Sequence, residues 1–468
     1  MIVASVRSLP ARFTPGSLSR NSLFALGQSL TVGVCVFLAY RLVITHAGLE
    51  RFGLWSLLLA GSSMARIGDI SGGGALARFV AAALRGDDPQ RSSFVVHTVI
   101  LTSLALNAAI ALAVWVAAPL ALPLFVAPTL LVEAHALMPY VVASMVLSAL
   151  AAAVTSGIDG AQRADQRALV VVAGALVFFG ACILLVPRQG VFGFGVAQVL
   201  QQATVIVLGW LVLRRHVADL GWLPRRWRRD AFAETTGYAV KLNAIGLTGL
   251  MFEPLAKFAF NHAAGPGLVA LYELASRLVV QVRGLVVSAA MPLVPAFAAR
   301  TGTSDPAFQQ MLERATRIAN PAAIGTAVVT LAGAPVMSLV VLGRISPDLL
   351  AMNAALTAGW SINILVVPIY FAAQGLGILR WNFASHAAIA LSVLIGTFLL
   401  VPAFGPPGLV SAIVMGLTSS MLIVLFGNAH AFDAMGMVRR CGVHLLGGSV
   451  TIAMLCSVAL VLALLTRV

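Results

Sequence analysis

Thirteen apolar runs, most of them about as long as a membrane-crossing helix, divide this chain of 468 residues. An α-helix rises 1.5 Å per residue, so about 30 Å of hydrocarbon takes about 20 mostly apolar residues. The runs lie at roughly 22–45, 52–83, 93–118, 137–158, 168–187, 192–213, 235–262, 267–298, 316–342, 349–375, 381–402, 408–429 and 441–465. In lipid every backbone N–H and C=O must be satisfied within the protein, so such runs predict α-helices. With 60% hydrophobic residues, 10% charged residues and a mean hydropathy of +0.97, the chain reads as an all-α polytopic membrane protein rather than as soluble domains. Arg7, Arg12 and Arg20 precede the first run in the manner of a signal peptide. That run is long and lacks a small-residue cleavage site, which predicts a retained first helix.

A net charge of +14 in a soluble chain would suggest nucleic acid. Here the arginines sit in short links between apolar runs, where membrane topology explains them and nucleic acid is set aside. With the N-terminus in the cytoplasm, alternate links hold twenty arginines, including the cluster from Arg214 to Arg229. The opposite links hold four, Arg51, Arg188, Arg344 and Arg467. Basic residues concentrate in cytoplasmic links, so twenty against four sets the orientation.

The chain also repeats itself. Arg41, His46, a Gly turn, Trp55 and Arg66 are met again, about 217 residues on, as Lys257, His262, a Gly turn, Tyr272 and Arg283. The segment Leu184 to Pro187 (LLVP) recurs as Leu399 to Pro402. Six helices return a chain to its starting side, so two such units are parallel repeats, related by a pseudo-twofold axis along the membrane normal with a cavity between them. The predicted organisation is a six-helix lobe over 1–216, a basic cytoplasmic linker over 217–234, a second six-helix lobe over 235–430 and an extra helix over 431–468. The linker has two readings: a topology anchor with Trp222 and Trp227 at the interface, or a patch that gathers anionic lipid headgroups.

Nine ionisable residues fall inside the runs: Arg41, Arg66, Asp69, Lys241, Glu253, Lys257, Glu273, Arg277 and Arg283. Each costs about 2.5 to 3.5 kcal/mol at mid-bilayer and needs a partner or a wet cavity. Glu253 with Lys257, Glu273 with Arg277, and Arg66 with Asp69 stand three or four apart on one helix face and can pair. Arg41, Lys241 and Arg283 have no partner at helical spacing. The repeat sets Arg66 and Arg283 at equivalent depth as a symmetric cationic pair, and guanidinium suits bidentate contact with phosphate or pyrophosphate oxygens. The Gly68 to Arg78 stretch (GDISGGGALAR), and Pro292 with Pro295 in the second unit, mark breaks that serve either close packing or a hinge. No metal-ligand spacing, disulfide framework, GxSxG or P-loop is present, which points away from an enzyme and from a metal or other cofactor.

These residues resemble those of the polysaccharide and lipid-linked oligosaccharide flippases (Wzx type) of the MATE-like MOP exporter superfamily. Gly48, Glu50, Phe52, Gly53, Leu54 and Trp55 look like the family's LGxExxGLW turn, with Ala47 in the place of the leading Leu. Asp69, Ala75, Leu76 and Arg78 look like its DxGxxxALxR segment, with Ser71 where Gly is common. The resemblance implies alternating access by two six-helix lobes in a bacterial inner membrane, carrying a polyprenyl-pyrophosphate-linked oligosaccharide, an O-antigen or exopolysaccharide repeat unit, to the periplasmic leaflet. It implies a cationic cavity lined by helices 1, 2, 7 and 8, with Arg41, Arg66, Lys257 and Arg283 on the headgroup, and Asp69, Glu253, Glu273 and Arg277 in pairing or coupling. Membrane lipids and polysaccharide polymerase or export proteins are the implied partners. The alternative is a cation-coupled drug or metabolite antiporter, which favours acidic cavity residues. A saccharide polymerase or ligase would carry a large periplasmic loop, and no link here is long enough for one.

Overall fold

The structure, a computed structural model, describes residues 15–65, 76–84, 89–298, 303, 305–428 and 434–465. Among these no strand is present. The helices in chain order are α1 Pro15–Ala47, α2 Leu49–Ala65, α3 Leu76–Ala83, α4 Pro89–Ala121, α5 Leu131–Gly160, α6 Ala164–Gln189, α7 Val191–Arg214, α8 Arg229–Ala264, α9 Pro266–Ala290, α10 Leu293–Ala298, α11 Pro306–Leu342, α12 Pro347–Ile364, α13 Val367–Gly375, α14 Arg380–Ile395, α15 Val401–Phe404, α16 Pro406–Gly427 and α17 Ala434–Leu465. Each apolar run is helical over most of its described length. Among the described residues nine helices are long and apolar enough to cross a membrane, or ten if the pair α12 and α13, bent by 46°, forms one span. Pro368 at the start of α13 has no N–H to continue the α12 ladder, which accounts for the bend. Helices α8 and α9 fall outside those nine. They carry Glu253, Lys257, Glu273, Arg277 and Arg283.

The repeat in the sequence has a counterpart in the turns. Helix α1 ends at Ala47 and α2 begins at Leu49; α8 ends at Ala264 and α9 begins at Pro266. The residue between is a glycine at positive φ each time, Gly48 at 91° and Gly265 at 78°, where an L side chain would be strained. The second pair of turns is as close. Gly190 between α6 and α7 and Gly405 between α15 and α16 have φ of 57° and 62°. Three residues further on, a Cβ on Gly193 would lie 2.7 Å from the backbone of Leu185, and one on Gly408 would lie 2.5 Å from the backbone of Leu400. Both hairpins therefore close through a glycine at the same register. Gly53, within the LGxExxGLW-like turn, has the same role between α2 and α9, because a Cβ there would meet the Pro266 carbonyl oxygen.

The chain forms two compact units, whose limits fall inside α1, α4, α5 and α8. One comprises residues up to 39, 69–112 and 143–240. Its apolar core joins Leu76 and Val80 of α3, Val95 and Val99 of α4, Val154 and Ile158 of α5 and Leu213 of α7. The link after α7 is held down on this unit. The His97 ring donates to the Leu220 carbonyl (2.7 Å), Trp210 Nε1 donates to the Trp222 carbonyl (2.9 Å), and the Arg228 backbone N–H donates to Thr98 (3.1 Å). The guanidinium of Arg214 stacks 3.6 Å from the ring of Trp222, and Trp222, Leu223 and Trp227 are left exposed.

The other unit comprises residues 40–68, 113–142 and 241–468. Its core joins Phe297 and Phe308 with Ile364, Ile369, Val424 and Ile452, drawn from α10 to α13, α16 and α17. Helices α11 and α12 start with Pro at the first position, and their caps are Asp305, which accepts from the Ala307 N–H, and Ser346, which accepts from the Leu349 N–H.

Candidate functional site

Ionised side chains within a membrane helix are costly, so the placement of those in the second unit carries the most information. Helix α8 brings Glu253 and Lys257 to one face, one turn apart, and α9 does the same with Glu273 and Arg277. Both pairs close: Lys257 Nζ lies 2.8 Å from Glu253, and Arg277 lies 2.7 Å from Glu273. Packing of the two helices then joins the pairs, with Lys257 Nζ 2.7 Å from the second oxygen of Glu273. Tyr40 from α1 donates to Glu273 at 3.0 Å and Ser56 from α2 at 3.1 Å.

Glu273 is thus held from four helices, and its two oxygens accept from Tyr40, Ser56, Lys257 and Arg277. The cluster carries two positive and two negative charges and is neutral. Lys257 and Glu273 are buried, while the Glu253 and Arg277 side chains are 58% and 46% exposed. This neutral cluster ties α1, α2, α8 and α9 together through Glu273. Its lysine is already held between two carboxylates.

Arg283, six residues beyond Arg277 on α9, is different. Among the described residues no carboxylate pairs with it. One terminal nitrogen donates to Asn363 Oδ1 at 3.2 Å, its guanidinium carbon lies 4.5 Å from the centre of the Trp360 ring, and its Nε is buried without a hydrogen-bond partner. The aromatic face stabilises the cation by about 0.5 to 2 kcal/mol without neutralising it. Arg283 lines a cavity of about 210 Å³. The other walls come from Trp360 and Asn363 of α12, Tyr370 and Phe371 of α13, Ser385, His386 and Ile389 of α14, and Ser420 and Val424 of α16. The bend between α12 and α13 turns Tyr370 onto this cavity, where its hydroxyl is 3.1 Å from His386 Nε2. Asn363 also donates to Ser420 at 3.4 Å. A cation with spare donor capacity, ringed by neutral hydrogen-bonding groups, can hold an oxyanion.

The remaining residues expected from sequence are dispersed. Arg41 is exposed and donates to the Val340 carbonyl of α11. Arg66 and Asp69 lie outside the described residues, as does most of the Gly68 to Arg78 segment, so the expected symmetric pair of Arg66 with Arg283 has no described counterpart. Lys241 lies in α8. Asn363, Tyr370 and His386 were not among the residues expected from sequence; the signal the sequence offers for them is that each is a polar interruption of an apolar run. A second cavity of about 360 Å³ is lined by Phe125, Phe258, Asn261 and His262, and the Asn261 side-chain amide donates to the Phe125 carbonyl there. No group of His, Cys, Asp and Glu that could hold a metal ion occurs among the described residues.

No protein-family model matches the sequence, and no curated protein does. Solved structures do match. An inward-facing multidrug resistance MATE family transporter of the MOP superfamily superposes with a TM-score of 0.74 at 16% identity, over 89% of this chain and 99% of its own. The lipid II flippase MurJ, in an inward closed conformation, gives 0.65 at 13% identity over 93% and 97%. A MATE transporter of Vibrio cholerae gives 0.58 at 14% identity over 90% and 96%. At such identities the likeness is one of fold, and the chain has the fold of the MATE-like membrane transporters.

Proposed function

We propose that this protein is a flippase for a polyprenyl-pyrophosphate-linked oligosaccharide, an O-antigen or exopolysaccharide repeat unit. It would move its cargo by alternating access from the cytoplasmic to the periplasmic leaflet of a bacterial inner membrane, with its N-terminus in the cytoplasm. The observation that carries this reading is Arg283, a cation with no carboxylate partner among the described residues, in a cavity walled by helices of a membrane protein. Such a charge is costly unless something anionic occupies the cavity during function. A pyrophosphate linkage supplies that anion, and the lipid II flippase among the structural neighbours supports a lipid-linked cargo. Arg41, exposed at the end of α1, and Arg66 remain candidate headgroup contacts.

A cation-coupled antiporter is the second reading. Glu253 favours it, because its carboxylate is more than half exposed with only Lys257 as an ion-pair partner among the described residues. The two readings part in cells that lack the protein. Mass spectrometry of their polyprenyl-linked saccharides should show a complete repeat unit accumulating, cleared by wild type and not by Arg283→Ala. An unchanged lipid pool, together with lost efflux of a cationic dye, would overturn the flippase reading in favour of the antiporter.

A further inference from the structure

The Arg283 cavity holds one more group that can change charge. His386 of α14 opens onto it, with Nε2 3.1 Å from the Tyr370 hydroxyl. Among the described residues that line the cavity, the charged or titratable groups facing His386 are Arg283 from α9 and Tyr370 from α13. Helices α12 and α16 face it with Trp360, Asn363 and Ser420, which carry no charge. We propose that this cavity binds its oxyanion together with a proton, which is held on His386. The proposal rests on the reading of the cavity as an anion site and adds that the anion and the proton are taken up as a pair.

The chemistry follows from charge and from hydrogen-bond direction. While the cavity is empty, the guanidinium opposes a second positive charge beside it. A doubly charged oxyanion reverses that field, because one arginine leaves a negative charge uncompensated in a medium that screens poorly. In the tautomer protonated at Nδ1, a neutral His386 accepts the Tyr370 O–H at Nε2, so the phenol offers the cavity no proton. A proton added at Nε2 turns this bond round. Nε2–H then donates to the phenolic oxygen, and the Tyr370 O–H is free to donate to the anion beside Arg283. Each ligand thereby improves the site for the other, and linkage makes the effect reciprocal.

Sulfate is the probe, since its charge is constant between pH 5 and 8 and any proton taken up belongs to the protein. Full-length protein in lipid nanodiscs is titrated with sulfate by calorimetry in buffers of different ionisation enthalpy. Wild type should take up a fraction of a proton per sulfate in the pH range where His386 titrates, and its affinity should fall by about fivefold or more from low to high pH, the usual range of coupled sites. His386→Gln should bind sulfate with no proton uptake and a flat pH profile. Tyr370→Phe should lose affinity chiefly at low pH, and Arg283→Ala should bind sulfate about ten- to a hundredfold more weakly. Sulfate binding that needs Arg283 but has the same pH profile in wild type and His386→Gln would overturn the proton coupling and leave the anion site standing. No binding by wild type at any pH would overturn both.

Discussion

Lys257 Nζ lies 2.7 Å from Glu273 Oε2, and the two side chains are only 7% and 4% exposed. This cross-helix contact turns two local helical pairs into one neutral cluster centred on Glu273. Glu273→Ala would leave Lys257 and Arg277 without their shared counterion and strand the Tyr40 hydroxyl. The expected cost is about 3 to 5 kcal/mol, the usual result of breaking one side of a buried pair. Thermal unfolding of the purified variant should show a clear loss, and cells should accumulate less of it. Wild-type thermal stability with transport lost would mean that the cluster serves the cargo and not the fold.

Arg283 should behave in the opposite way. It has no ion-pair partner among the described residues, so Arg283→Ala removes a desolvated charge and should leave stability near the wild-type value. Anion binding should weaken by about ten- to a hundredfold, since a hydrogen bond to a charged group contributes about 1.5 to 3 kcal/mol. Arg283→Lys should restore part of this, because an ammonium keeps the charge but not the planar fork or the stacking on Trp360. Sulfate or pyrophosphate titration of the three proteins measures both differences.

Three glycines should be intolerant of a single methyl group. Gly53→Ala, Gly193→Ala and Gly408→Ala each place Cβ against backbone atoms, which cannot rotate away. Overpacking of this kind costs about 1 to 3 kcal/mol. Gly325→Ala is the control: it has no atom within 4 Å of its Cβ and sits within α11, so it should be neutral or gain up to about 1 kcal/mol of helix propensity. Melting temperatures of the four variants, taken side by side, check the contrast.

What could be read from the sequence was whatever is local or periodic. The apolar runs gave the helices because lipid allows little else, and the Gly48 and Gly265 turns were visible because both repeats carry them. The Glu253–Lys257 and Glu273–Arg277 pairs followed from helical spacing alone. The contact between Lys257 and Glu273 did not, since it depends on how α8 packs on α9. The cavity was hidden for the same reason. Asn363 reaches Arg283 from 80 positions away and meets Ser420 across another 57, and neither carries a charge that would have drawn attention in an apolar run. Sequence charge counting also gave Lys257 the same weight as Arg283, whereas packing leaves the lysine neutralised and the arginine without a carboxylate among the described residues.

The most direct test is transport by the purified protein. Proteoliposomes are loaded on one leaflet with a fluorescent polyprenyl-pyrophosphate-linked saccharide, and its arrival on the other leaflet is followed by chemical quenching. Wild type should move the lipid, Arg283→Ala should not, and a polyprenyl saccharide without the pyrophosphate should stay in place. Equal movement by wild type and Arg283→Ala, or none by wild type with the saccharide lipid recovered from its own host, would contradict a flippase that works through this arginine.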